Sequence, residues 1–179
     1  MKNIEGIDEA WRLLQPRWTE IEAEFNKHNE RFLRLASTDY EAIGRVVRAH
    51  LLVENFIDTH LEETLKIKNI AEARLTFAQK IKLLPAASSG AAFVRPGILQ
   101  LNSVRNKLGH RVMHEVEHHE ISAIYEALAI GRSGVAYDSP VLAIEAFAPM
   151  VCAFLSVSTP DIQQLFRDAF AKIKIVPVE

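Results

Sequence analysis

One stretch, residues 37–69, constrains the fold of this chain more than any other. It reads STDYEAIGRVVRAHLLVENFIDTHLEETLKIKN. Apolar residues recur in it at spacings of three and four, at Ile43, Val46, Val47, Leu51, Phe56, Ile57, Leu61 and Leu65. This period is typical of an amphipathic helix with one face in a core. Ser37, Thr38 or Asp39 is expected to cap its start and Asn69 to end it.

The other segments repeat this helical period. An apolar stripe runs through Trp18, Ile21, Phe25, Phe32 and Leu35, and Pro16 is expected to separate that helix from a shorter one before it. Further helices are predicted over AEARLTFAQKIKLL, which stops at Pro85, and around the apolar positions Ile98, Leu101, Val104 and Leu108.

Two loops and one break divide the second half of the chain. The glycine- and proline-containing segments 85–97 and 131–140 are predicted loops. The apolar period fails near residues 110–117, so a turn is expected there before a helix resumes at Ile121. Two final helices are predicted over about 140–156 and 160–174, where Ser139–Pro140 and Thr159–Pro160 form starting pairs. The expectation is therefore an all-α fold, an antiparallel helical bundle, organised as a single domain over residues 1–179.

Composition narrows the classes of function. The net charge is −2 and 49% of the residues are hydrophobic, so nucleic acid could be held only by a local patch of positive charge. Cys152 is the one cysteine, which leaves no intrachain disulfide and no cysteine-based zinc site. The first residues lack a signal-peptide core, and the longest apolar run contains Glu145 and Pro149. A cytoplasmic protein without membrane contact is expected.

The segment LNSVRNKLGHRV, residues 101–112, gathers polar and basic side chains at one helix end. The guanidinium of Arg105 can hold two phosphate oxygens and stabilise charge that develops in a transition state. The imidazole of His110 can accept and return a proton near neutral pH. Together they suit metal-independent cleavage of RNA by its own 2′-hydroxyl, and Asn106 can bind the same phosphate or hold the arginine.

These residues resemble the signature of the HEPN superfamily, in which an arginine and a polar residue precede a histidine by a fixed spacing. The phrase RNKLGH at 105–110 matches that order. The preceding long helix and the segment LTFAQKIKLL agree with the family's helix order, so the resemblance covers a core of about residues 40–130. Residues 139–174 are then a C-terminal helical extension.

The resemblance implies a homodimer in which two motifs face one cleft, and for many members metal-independent endoribonuclease activity in a toxin or a phage-defence effector. Arg105, Asn106 and His110 would be the catalytic residues, without cofactor or metal. Lys107, Arg111 and His114 are expected to bind substrate, and Glu54 or Asp58 to orient Arg105. RNA and a cognate antitoxin protein are the expected partners.

Two alternatives compete with this interpretation. The first is a non-catalytic HEPN-like regulator or module that binds RNA, a nucleotide or a partner protein. The second rests on HEVEH at 114–118, which matches the zinc-peptidase pattern H-E-x-x-H. The broken helical period across this segment and the charge of Glu117 count against zinc.

Overall fold

The computed structural model describes residues 5–30, 33, 40–110, 114–156 and 159–172, without the side chain of His28. Backbone contacts divide the chain into two compact units, residues 1–38 and 39–179. The expected capping residues Ser37, Thr38 and Asp39, and the stripe residues Phe32 and Leu35, lie outside the described residues.

The structure gives the bounds of two short helices in the described part of the first unit. They are α1 (Ile7–Leu14) and α2 (Trp18–His28), joined by a 3-10 turn over Gln15–Arg17. Pro16 lies in this turn, where the sequence predicted a break. The indole rings of Trp11 and Trp18 have centroids 5.5 Å apart. No described residue of this unit is buried.

The second unit is an all-α helical bundle, which confirms the predicted fold class, and no strand occurs in its described residues. Its helices are α3 (Tyr40–Leu65), α4 (Phe77–Leu83), α5 (Gly90–His110), α6 (Ser122–Gly131), α7 (Pro140–Leu155) and α8 (Pro160–Phe170). Short 3-10 helices cover Ile70–Ala73 and His118–Ile121. The most extensive packing joins α3 to α7, and α5 contacts α3, α4, α6, α7 and α8.

Helix α7 lies in the core, as its nearly uniform apolar character predicted. Its buried residues are Ala143, Ile144, Phe147, Ala148, Met150, Val151, Cys152 and Leu155. The hydroxyl of Ser139 accepts a hydrogen bond from the Leu142 amide at 3.3 Å and caps this helix, as expected. Helix α8 begins at Pro160, also as expected, but it ends at Phe170 rather than near residue 174.

Two further predicted helix boundaries were wrong. Helix α3 ends at Leu65, before Asn69, because Lys66 and Asn69 adopt left-handed conformations with φ of 57° and 56°. Helix α4 begins at Phe77 rather than at the start of the AEARLTF segment. The reason is a capping box, in which the Thr76 hydroxyl accepts from the Gln79 amide at 3.3 Å.

The loop predicted over residues 85–97 was wrong from Gly90 onward, where α5 begins. Pro96 lies inside α5, although a proline there removes one backbone hydrogen bond. Gly97 faces α7, and a Cβ atom at this position would lie 2.4 Å from the Cζ of Phe147. The close approach of the two helices therefore depends on a glycine that the sequence alone suggested as a loop residue.

Among the described residues, no single helix is long and apolar enough to cross a membrane. Helices α7 and α8 reach that length and hydropathy only when they are taken together, and their axes point in different directions.

Candidate functional site

The predicted motif lies on the last two turns of α5. Val104 and Leu108 are buried and anchor these turns to the bundle, whereas Arg105, Asn106 and His110 are exposed. An Nη1–H of Arg105 donates a hydrogen bond to Oδ1 of Asn106 at 3.2 Å. The polar residue of the motif therefore holds its arginine, in one of the two roles that the sequence suggested for Asn106.

Arg105 and His110 leave the helix in different directions. With about 100° of rotation per residue, five positions separate two side chains by about 140° around the helix axis. His110 is also the last residue of α5. Within one chain, the guanidinium and the imidazole therefore project from different sides of the same helix end.

Lys107 and His114 do not extend freely into solvent, because both bind Glu120. The Lys107 ammonium donates to Oε1 of Glu120, and Nε2 of His114 lies 2.9 Å from Oε2. The Glu117 amide also donates to Oε2 of Glu120, at 2.9 Å. The Glu120 carboxylate thus connects the segment after α5 to the end of that helix. It also binds two of the three residues that were expected to bind substrate. The third, Arg111, lies outside the described residues.

Burial alone would raise the pKa of Glu120. The hydrogen bonds from the Glu117 amide and Lys107, together with the positive charges of His114 and Lys107, outweigh it and lower the pKa to about 2. Glu120 is therefore ionised at neutral pH, as a carboxylate in an ion pair should be.

The HEVEH segment does not form the helix that a zinc-peptidase motif requires. Residues 114–117 are not helical, and His118 opens a 3-10 turn. The two histidines have separate partners, since Nδ1 of His118 lies 2.8 Å from the hydroxyl of Tyr125. No group of three or more metal-ligating side chains is present in the described part of the chain. The break predicted at 110–117 is confirmed where the structure describes it, because α5 ends at His110.

A polar cluster lies where α3, α4 and α5 pack together. It is formed by the buried side chains of His50 and Lys80 and by the partly exposed carboxylates of Glu54 and Asp58. The Lys80 ammonium donates to Oε1 of Glu54 at 3.0 Å and to Asp58 at 2.8 Å. Burial alone would lower the pKa of Lys80, but its hydrogen bonds to Asp58 and Glu54 raise it. The two carboxylates expected to orient Arg105 therefore bind a lysine instead.

His50 and Lys80 are the residues that reasoning from sequence missed. His50 is 4% exposed and Lys80 is 6% exposed, so both are polar residues inside the core. For His50 a signal was present, because it lies four residues after Val46 and three before Val53, on the buried face of the predicted helix. Nothing in the local sequence pairs Lys80 with Glu54, since 26 residues separate them.

Comparison of the chain with protein-family profiles, with curated proteins and with solved structures finds no significant match.

Proposed function

We propose that this protein is a metal-independent endoribonuclease of the HEPN type, with Arg105, Asn106 and His110 as its catalytic residues. The observation that carries the proposal is the exposure of all three motif residues on one helix end whose apolar residues are buried. In the described part of the chain, Arg105 forms no ion pair with a carboxylate. Its remaining N–H donors are therefore available to a phosphate.

The chemistry follows from these groups. The imidazole of His110 accepts the proton of a ribose 2′-hydroxyl, and the 2′ oxygen attacks the adjacent phosphorus. Arg105 stabilises the negative charge on the phosphoryl oxygens as that charge grows. The bond from phosphorus to the 5′ oxygen breaks, and a proton is delivered to that oxygen. The products are a 2′,3′-cyclic phosphate and a 5′-hydroxyl, and no redox partner is required.

The different directions of Arg105 and His110 support a homodimeric site. One chain brings the two groups to different sides of α5, whereas two copies with facing motifs can surround one phosphate with an arginine and a histidine from each copy. We therefore include dimerisation in the proposal. From the resemblance to HEPN proteins, we further propose that the protein is a toxin or phage-defence effector restrained by a cognate antitoxin.

The experiment uses end-labelled RNA, excess chelator and purified wild type, Arg105→Ala and His110→Ala. We expect wild type to leave cyclic-phosphate ends and each variant to lose about 100-fold or more in rate, as is typical when a general base or a charge-stabilising donor is removed. Asn106→Ala should lose less, because Arg105 keeps its charge without that hydrogen bond.

Matched controls are Arg132→Ala and His119→Ala, which remove an exposed arginine and an exposed histidine elsewhere on the same unit. Both should cleave RNA like wild type. Equal activity of all five variants and the wild type, or cleavage that chelator abolishes, would contradict the proposal. A protein that remains monomeric at assay concentration while it cleaves would contradict the composite site alone.

The second candidate is a non-catalytic binding module, and the contacts of Glu120 favour it. With Lys107 and His114 bound to that carboxylate, Arg105 is the main motif cation left for a phosphate. Contact with one or two phosphates gives a shallow dependence of RNA affinity on salt, with a slope of about −0.7 per phosphate on a single strand. Binding with this slope, lost in Arg105→Ala and without cleavage, would select the module over the enzyme.

A further inference from the structure

A cavity of about 510 Å³ lies at the opposite end of α5 from the candidate site. Its wall includes Gly90, the first residue of α5, whereas Arg105 and His110 lie on the last turns of that helix. A rise of 1.5 Å per residue places Arg105 roughly 22 Å from Gly90 along the helix axis. The volume of the cavity is typical of pockets that bind small molecules. The cavity is therefore separate from the proposed ribonuclease site.

Part of the cavity wall is aromatic. Phe154 on α7 and Phe166 on α8 both line the cavity, and their ring centroids are 5.4 Å apart. Phe154 lies directly against the start of α5, since a Cβ atom at Gly90 would be 2.8 Å from its Cδ1. Pro85 and Ala87 add further apolar surface. A wall of this kind binds the apolar body of a ligand rather than a small inorganic ion.

Three charged side chains, those of Glu63, Lys66 and Arg167, line the same cavity. Together they carry one net positive charge. The Nε–H and an Nη2–H of Arg167 donate to Oε1 of Gln164 at 3.1 Å and 2.7 Å, which leaves its other N–H donors available. Within the described part of the chain, neither Lys66 nor Arg167 forms an ion pair with a carboxylate. Both cations can therefore bind an anionic group of a ligand.

The backbone of Lys66 supports a binding role for its side chain. Lys66 and Ser88, which both line the cavity, have left-handed conformations with φ of 57° and 56°. This conformation favours glycine and costs stability in any other residue. The Ser88 hydroxyl contributes to the fold, because it donates to the carbonyl of Ala171 at 3.1 Å. The Lys66 ammonium makes no such contact with the described residues, so its strained position gives the fold no return.

We propose that this cavity is a binding site for a small organic anion. The apolar body of the ligand packs against Phe154 and Phe166, and its single anionic group is bound by Lys66 and Arg167. The one negative charge of the ligand matches the one net positive charge of the wall. This function goes beyond the proposed ribonuclease and does not depend on it, because the two sites lie at opposite ends of α5.

The first test uses 8-anilinonaphthalene-1-sulfonate, an aromatic probe with one sulfonate group, whose fluorescence rises in apolar sites. We expect saturable binding to the folded wild type. Octanoate and octyl sulfate should displace the probe, and their relative potencies distinguish a carboxylate from a sulfate ester. Octanol should be about fivefold less potent than octanoate, because it lacks the charge. Equal potency of octanol, or equal potency of inorganic sulfate, would overturn the proposed ligand class.

The second test measures probe affinity and melting temperature in variants of the cavity wall. Lys66→Gly and Arg167→Gln should each bind the probe about fivefold more weakly. Ala87→Trp places a large side chain in the cavity at an exposed position and should abolish binding. Lys66→Gly should also melt no lower than wild type, because glycine adopts the left-handed conformation without strain. A purely structural role for Lys66 predicts the reverse, a lower melting temperature with unchanged binding.

The matched control for Lys66→Gly is Arg74→Gly. Arg74 is also an exposed cation in a left-handed conformation, with φ of 50°, but it does not line the cavity. Arg74→Gly should bind the probe like wild type. Equal binding by the wild type and all three cavity variants would overturn the proposal.

This proposal and the ribonuclease fail separately. The cavity variants should cleave RNA like wild type, so unchanged probe binding in them removes the anion site alone. A wild type that does not cleave RNA, but binds the probe and loses it in the cavity variants, removes the ribonuclease alone.

Discussion

Replacing Glu120 by glutamine removes the charge that Lys107 and His114 share while it preserves the shape of the side chain. The carboxylate is 5% exposed, whereas the Lys107 side chain is 42% exposed. The substitution leaves an ammonium and an imidazole facing a neutral amide at the end of α5. The affected quantity is the free energy of unfolding, and its dependence on pH reveals the cause.

The magnitude follows from the pKa. Folding lowers the pKa of Glu120 from 4.5 to about 2. At roughly 1.36 kcal/mol per pH unit, this shift corresponds to about 3 kcal/mol of stability at pH 7. Because Lys107 is partly in solvent, screening reduces the expected loss in Glu120→Gln to about 2 kcal/mol.

The sign of the pH dependence is fixed by the direction of the shift. A lowered pKa in the folded state stabilises the protein fully above pH 4.5 and loses its effect as the pH falls toward 2. The difference in stability between wild type and Glu120→Gln should therefore be present near neutral pH and fall by roughly half or more at pH 3.

Urea unfolding followed by circular dichroism is the appropriate assay. Both tryptophans, Trp11 and Trp18, belong to the first unit, so tryptophan fluorescence would report on the wrong part of the chain. Glu115→Gln is the matched control, because Glu115 is exposed on the same segment. It should change stability by less than about 0.5 kcal/mol.

Two results would refute this reasoning. If Glu120→Gln loses the same free energy at pH 3 as at pH 7, its effect is not due to the ionised carboxylate. If Glu120→Gln is as stable as Glu115→Gln throughout, the contacts of Glu120 do not hold the segment after α5.

Two further predictions concern packing and a second ion pair. Gly97→Ala should destabilise the protein by about 1 to 3 kcal/mol, because its Cβ would overlap the ring of Phe147. Gly109→Ala would place its Cβ where no atom lies within 4 Å. It should therefore stabilise α5 by up to about 1 kcal/mol and preserve RNA cleavage. Thermal unfolding of the two glycine variants tests both expectations, and equal melting temperatures of the two variants would contradict them. The hydrogen bond from Arg45 lowers the pKa of Glu145, so this ion pair stabilises the folded protein at pH 7. Both side chains are about one-third exposed, and Glu145→Gln should therefore lower the free energy of unfolding by less than about 1 kcal/mol. This loss of stability should become smaller as the pH falls below 4.5, because the carboxylate is then protonated. An equal loss at pH 3 would show that it does not come from the charge of Glu145.

Much of the candidate site could be read from the sequence because it depends on one helix. Val104 and Leu108 predicted a buried face, and the same period placed Arg105 and Asn106 outside it. The turn after His110 was visible as a failure of that period. The compartment, the partners and the activity stay predictions, since none of them follows from helix geometry.

The boundaries of α4 and α5 depended on interactions that the apolar period does not contain. Thr76 starts α4 through a hydrogen bond, and Gly97 lies inside α5 because another helix approaches it closely. A proline and a glycine side by side predict a loop unless tertiary packing makes the helix more favourable.

By itself, the sequence determined that the chain is helical, which faces of its helices are apolar and which residues stand exposed at the end of α5. These properties depend on neighbours three and four positions apart. Only the tertiary structure decided that Glu120 binds Lys107 and His114. It also decided that Glu54 and Asp58 bind Lys80. Ion pairs of this kind join residues on different elements, so their formation depends on how the helices pack rather than on any local pattern.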